Sequence, residues 1–248
     1  MPPIITLAGV SKQFHRQTHR GPTTLKTYLL YDIWRHRKPS DDVIWAVRDV
    51  NLTIERGAAM AIVGRNGSGK TTLLNLIGGR LKPTTGMIWI GGKATALLEL
   101  GIGFHPELTG RENILINGII LGLSRKEIRR LEDAIVRFAE LEDFIDEPMR
   151  TYSTGMCMRL GFSVAVHADP DILLIDEVLA VGDLGFAQKC LDRMGQFKKE
   201  RKTILLVTHD LALAQTWCDL AVWMHQGRVA LAGEPAKVID AYRHAVAG

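Results

Sequence analysis

Residues 64–71 read Gly-Arg-Asn-Gly-Ser-Gly-Lys-Thr, and no other feature restricts the fold of this chain as strongly. Glycines at the first, fourth and sixth positions let the backbone curl until several N–H groups point at one anion. The apolar run Ala58–Val63 comes just before, and a helical pattern starts near Lys70, so the order is strand, loop, helix. The helix then aims the positive end of its dipole at whatever the loop encloses. Lys70 adds a point charge suited to β- and γ-phosphates, and the Thr71 hydroxyl can ligate Mg2+. Gly64, Arg65, Asn66, Gly67, Ser68, Gly69, Lys70, Thr71 and the following Thr72 are therefore the candidate nucleotide-binding residues.

Two further apolar runs end in residues with chemistry. Ile172–Ile175 leads into Asp176-Glu177, and Thr203–Val207 leads through Thr208 to His209. Open parallel sheets bind ligands at the C-terminal ends of their strands, so both acids can reach the phosphate loop. Asp176 suits Mg2+, held directly or through water. Glu177 suits an attacking water, taking its proton or orienting it. Between these runs Phe186, Cys190, Met194 and Phe197 recur at helical spacing. Strands alternating with helices argue for an α/β core with a parallel sheet. Ile4–Val10 reads as a short strand, and Val50, Leu52 and Ile54 alternate with polar neighbours as a half-buried one.

Residues 105–165 read as mostly helical. Thr109 with Glu112, and Ser124 with Glu127, fit the capping box, and Ile128, Leu131, Ile135 and Phe138 continue the second helix as an apolar stripe. Tyr152-Ser153-Thr154-Gly155-Met156 precedes a further helix, where Ser153 taken alone is an N-cap.

Composition narrows the setting. A chain of 248 residues, 46% hydrophobic and 23% charged, has ample material for a folded core. It contains no apolar run of about 18 residues that would span a membrane, and its start does not read as a signal peptide. Cys157, Cys190 and Cys218 lack metal spacing and suit a reducing cytoplasm. The net charge of +4 is local, since Lys12–Lys38 holds seven Lys or Arg against the single acid Asp32. That segment can face phospholipid head groups, nucleic acid, an anionic substrate or simply solvent.

The order of phosphate loop, helical segment, Ser-x-Gly element, acidic strand end and histidine resembles the ABC ATPases. Longer stretches are more specific. Leu98–Ile114 (LELGIGFHPELTGRENI), Asp176–Asp183 (DEVLAVGD) and the Tyr-Ser-Thr-Gly-Met element resemble the ATP-binding subunits of bacterial polysaccharide exporters, of the O-antigen (Wzt-type), capsule and teichoic-acid kinds. The resemblance covers nearly the whole chain. It implies an α/β, RecA-like P-loop NTPase core with an antiparallel β-subdomain and an inserted helical subdomain. Residues 1–248 would form one ABC ATPase domain, with 105–165 as the helical part and 1–104 and 166–248 as the remainder.

By the same resemblance the ligands are ATP and Mg2+, and Lys70, Glu177 and His209 form the catalytic set, His209 sensing the γ-phosphate. Ser153 and Gly155 would grip the ATP bound by a second copy, and Ala180–Asp183 would line the dimer interface. Phe14 stands where the family stacks a ring on adenine, with Trp45 as the alternative. The chain lacks the glutamine usual at the start of the helical subdomain. Glu99 is the nearest polar match and the candidate third metal contact, with His105 in reserve. Thr154 and Met156 also replace the glycine and glutamine usual in the signature element.

The implied assembly is a homodimer with an integral-membrane permease dimer, peripheral to the cytoplasmic face of the bacterial inner membrane. Its cargo would be a lipid-pyrophosphate-linked glycan, and nucleic acid is not expected. The basic insertion 15–40 would form a helix near the mouth of the transport path. The chain stops soon after Tyr242, so the carbohydrate-binding β-domain that some O-antigen exporters append is not expected. The alternatives are a non-transport ABC ATPase acting on nucleic acid or ribosomes, disfavoured by the lack of coiled-coil arms, and a nucleotide-gated scaffold with little hydrolysis, disfavoured by Glu177. A phosphotransferase leaves Ser153 and His209 without a role.

Overall fold

A computed structural model of the chain describes residues 2–15, 43–97, 103–176 and 184–247. The basic insertion beyond His15, Glu99, Glu177 and Ala180–Asp183 lie outside the described residues. Nine strands are described: β1 (Ile5–His15), β2 (Val43–Ile54), β3 (Ala59–Val63), β4 (Thr85–Ile90), β5 (Ala94–Leu97), β6 (Ile172–Asp176), β7 (Thr203–Val207), β8 (Leu220–His225) and β9 (Arg228–Gly233). The helices are α1 (Lys70–Ile77), α2 (Gly110–Ile120), α3 (Arg125–Ala139), α4 (Thr154–His167), α5 (Leu184–Lys199), α6 (Leu211–Trp217) and α7 (Pro235–Ala247).

The strands form two sheets. One has three strands in the order β2-β1-β4, and the other six in the order β5-β6-β7-β3-β8-β9. The three-stranded sheet is antiparallel, whereas in the larger sheet only the β8–β9 pair is. Every residue of β3 and β7 is buried, which is why both read as unbroken apolar runs without alternation. β6 is buried along Ile172–Ile175 and bracketed by two acids. At its start Asp171 accepts a hydrogen bond from the Lys93 N–H at 2.9 Å and faces Arg56 at 3.6 Å. At its end Asp176 pairs with Val207.

Three apolar clusters hold these layers. Phe162, Phe186 and Phe197 pack α4 and α5 against one face of the larger sheet. The Phe162 and Phe186 rings meet edge to face at 6.0 Å, an arrangement worth about 0.5–1.5 kcal/mol beyond its buried area. On the other face Ile5, Val47, Leu73 and Leu74 join β1, β2 and α1 to the sheet. A separate cluster around Ile114, Ile128, Ile135 and Leu160 holds α2, α3 and α4 together.

The sequence reading of the helices agrees with what forms. Both capping boxes are complete, at Thr109 and at Ser124, and Ser153 caps α4 by accepting from the Met156 N–H. The first strand differs, because β1 runs on to His15 instead of stopping at Val10. Its pairing with β2 is interrupted between Leu7 and Val10, again before Lys12 and again before Gln13. Each irregularity resets which face a side chain meets, so the period-two pattern that marks a strand in sequence is lost.

Candidate functional site

The loop between β3 and α1 takes its shape from glycine. Gly69 has φ 100° and Gly64 φ 152°. An added Cβ would stand 2.2 Å from the Ala46 carbonyl oxygen at Gly69, and 2.4 Å from the Met224 carbonyl oxygen at Gly64. Both contacts are with backbone, which cannot swing aside. Gly69 is also the N-cap of α1, and no side chain caps this helix. The N–H groups of its first turn therefore face the loop, where an anion satisfies them.

The Lys70 side chain folds back into the loop. Its Nζ donates to the carbonyls of Gly64 at 2.8 Å and Arg65 at 3.1 Å, and the residue is buried. Ser68 Oγ is buried in the same place and finds no hydrogen-bond partner among the described residues. An uncapped helix start, a buried ammonium and an unsatisfied hydroxyl beside one glycine cradle fit the phosphates of a nucleotide.

Parallel pairing brings the other strand ends alongside. β7 lies between β3 and β6, with Ile62 opposite Val207 and Asp176 opposite Val207. A cavity of about 700 Å³ opens there, lined by Asn66, Gly67, Gly69, Lys70, Thr71, Thr72, Asp176 and His209. Phe14, Ile44, Trp45 and Ala46 line it as well. Among the described residues no group of three or more His, Cys, Asp or Glu could hold a metal ion. A cation here would rely on Thr71, Asp176 and the oxygens of the nucleotide itself.

Both aromatic candidates border the cavity, so neither is set aside. Lys12 Nζ stands 5.3 Å from the centre of the Phe14 ring, and Arg48 Cζ stands 5.4 Å from that of Trp45. Ile44, which the sequence reading missed, is the cross-strand partner of Phe14. Its role depends on a register that no local pattern announces.

The remaining candidates lie elsewhere. His105 is not among the described residues lining the cavity. It belongs to a loop held by Asn113, a buried residue at the start of α2. Asn113 Oδ1 accepts from the His105 N–H at 2.7 Å. Its Nδ2 donates to the carbonyls of His105, Leu108 and Thr109 at 3.1, 3.2 and 2.9 Å. Ser153 is exposed at the start of α4 and Gly155, two residues on, is half-buried, and neither lines the cavity. The preceding Tyr152 anchors that helix start by donating to the Phe144 carbonyl at 2.6 Å, and burial pushes its phenol up to about 12.

No helix among the described residues is long and apolar enough to cross a membrane. The ABC transporter family matches residues 47–180. The O-antigen export system ATP-binding protein RfbB of Myxococcus xanthus is 54% identical over 244 residues, covering 98% of this chain and 56% of that protein. The protein of the same name from Klebsiella pneumoniae is 42% identical over 247 residues, covering 100% of both. Among solved structures, a dimeric post-hydrolysis state of an ATP-binding cassette bound to ADP and Pi superposes with a TM-score of 0.72 at 24% identity, covering 93% of this chain and 98% of that one.

Proposed function

This chain belongs to the ABC transporter family, and from that premise we propose that it is the ATP-hydrolysing subunit of an exporter of lipid-linked polysaccharide. The observation that carries the reading is the cavity in which the phosphate loop, Asp176 and His209 meet at the ends of three adjacent strands. The loop backbone and Lys70 bind the phosphates of ATP, while Phe14 or Trp45 stacks on the base. Thr71 and Asp176 would hold Mg2+, with Glu99 as a third contact. The ion, when bound, offsets the negative charge that builds on the phosphate oxygens during transfer. Glu177 takes the proton of the attacking water or orients it, and His209 senses the terminal phosphate.

Ser153 and Gly155 act on the ATP of a second copy. Two features support this. Ser153 is exposed rather than turned to its own cavity. A Cβ at Gly155 would meet only Ser153 Oγ, at an ordinary 3.8 Å, so no described part of this chain demands glycine there. A glycine at that point leaves room for a surface that comes close from outside. The homodimer would work beneath a membrane-spanning permease dimer at the cytoplasmic face of the inner membrane, with a lipid-pyrophosphate-linked glycan as cargo.

The test separates binding from turnover. Glu177→Gln should retain ATP and accumulate as dimer while hydrolysis collapses, and Lys70→Ala should lose ATP affinity. Mixing Ser153→Arg with Lys70→Ala subunits should restore about one intact site per mixed dimer and hence part of the activity. Unimpaired hydrolysis by Glu177→Gln would remove its assigned role, and no recovery on mixing would remove the shared site. In cells, Lys70→Ala should leave unexported lipid-linked glycan behind, and unchanged export would contradict the transport reading.

A further inference from the structure

The hairpin between β8 and β9 closes in two residues, Gln226 and Gly227, with φ 48° and 78°. Positive φ at both central residues is the mark of a type I′ turn. Hairpin tips ordinarily stand in solvent. Here Gln226 is exposed but Gly227 is buried, because the turn is wedged between two parts of the nucleotide cavity.

On one side lies the phosphate loop. The Gly227 N–H donates to the Ser68 carbonyl at 3.0 Å. A Cβ at Gly69 would stand 3.5 Å from Gly227 Cα, and Met224 of the same hairpin closes on Gly64. On the other side lies β2, where it forms the cavity wall. The Gly227 carbonyl accepts from the Arg48 N–H at 2.8 Å. A Cβ at Gly227 would stand 3.0 Å from the Ala46 carbonyl oxygen and 3.3 Å from that of Trp45. One glycine thus bonds by its N–H to the phosphate end and by its carbonyl to the strand carrying Trp45.

We propose that the Gln226–Gly227 turn sets the spacing between the base end and the phosphate end of the cavity, with Gly227 as the positioning residue. The proposal rests on the nucleotide-binding reading above. Each end keeps its own shape without the turn. The phosphate loop is closed internally by Lys70 and by the Ser68 N–H, which donates to the Arg65 carbonyl at 3.1 Å. β2 is held by its ladder to β1. The Ala46 carbonyl also abuts Gly69 directly, but that contact limits only the closest approach, so disturbing the bonded turn still misplaces one intact half against the other. A ligand that spans both halves loses the benefit of a pre-set distance, and a ligand confined to one half does not.

The probes are Mg-ADP, which spans both ends, and Mg-tripolyphosphate, which has no base. Both are titrated calorimetrically into the full chain carrying Gly227→Ala. ADP should weaken about tenfold, or about 1.4 kcal/mol, while tripolyphosphate changes by less than about twofold. If Gly227→Ala does not fold, inserting one glycine between Gln226 and Gly227 slackens the turn at small entropic cost and must give the same split. Equal weakening of the two ligands, or undiminished ADP binding, overturns the proposal. Failure of the unmodified chain to bind ADP overturns the nucleotide-binding reading and this proposal with it.

Discussion

Asn113→Asp exchanges one buried NH2 group for oxygen at nearly constant shape. In the folded chain that nitrogen donates to the carbonyls of His105, Leu108 and Thr109, at 2.9 to 3.2 Å. An ionised carboxyl there would set negative charge against three carbonyl oxygens in a residue with no solvent exposure. The folded state must therefore keep the new group protonated, which raises its folded pKa above the unfolded value near ~3.9. The sign follows. Above the unfolded pKa the denatured chain ionises freely and the native one does not, so stability falls as pH rises, until the folded pKa is reached. The slope is at most about 1.4 kcal/mol per pH unit, so from about pH 5 to about pH 7 the penalty should grow by about 2.7 kcal/mol. The three carbonyls keep backbone donors, from the N–H groups of Leu108, Met149 and Asn113, so the loss at any pH is that of the side-chain bonds alone, roughly 0.5–1.5 kcal/mol each. Asn113→Ala is the reference, since it loses the same donated bonds and brings no titrating group; it also loses the bond accepted from the His105 N–H, a cost that does not vary with pH. Urea unfolding of both variants across that range gives the gap between them, with the pH dependence of the parent chain cancelled. A gap that stays flat would refute the reasoning, because it would mean that the Asn113 site can hold a charge.

Two other outcomes follow from the geometry. Gly69→Ala places a Cβ 2.2 Å from the Ala46 carbonyl oxygen, so calorimetric ATP affinity should fall by about a hundredfold, or about 2.7 kcal/mol, in a chain whose circular dichroism is unchanged; ATP affinity close to that of the parent would show that the close fit is dispensable. Burial pushes the thiols of Cys190 and Cys218 up to about 12, while Cys157 is raised less and is only half-buried. At about pH 8 iodoacetamide should label Cys157 first, with the other two reacting only as pH nears their raised values or as the chain unfolds, and equal labelling by mass spectrometry would contradict this.

Local physics made part of this molecule readable in advance. The phosphate loop is legible because its conformation needs glycine wherever it occurs. The caps at Thr109, Ser124 and Ser153 are legible because each completes bonds within three residues. Asp176 and His209 are legible as cavity residues because each follows the apolar run of a buried parallel strand. What stayed hidden was set by partners far along the chain. Asn113 looks like any polar residue early in a helix until the loop at His105–Thr109 folds over it. Ile44 joins the cavity wall only through its pairing with Phe14. Gly227 reads as an ordinary hairpin glycine, and nothing near it in sequence points to Ser68 or Arg48. β1 reads in sequence as a shorter strand because its bulges erase alternation while keeping the ladder.

The two acids that bracket β6 have a bearing on Asp176 that neither has alone. Four aliphatic side chains, Ile172 to Ile175, are buried in that strand, and by themselves they would fit as well one step up or down. Sliding the strand one way drags Asp171 away from the Lys93 N–H and into the sheet, and sliding it the other way draws Asp176 beneath the cavity floor. Either shift strips a carboxylate of water at a cost of several kcal/mol. The strand is thus metered from both ends. An acid on the surface beside Arg56, about 17 Å away along the chain, fixes to within one residue how far Asp176 reaches toward the nucleotide.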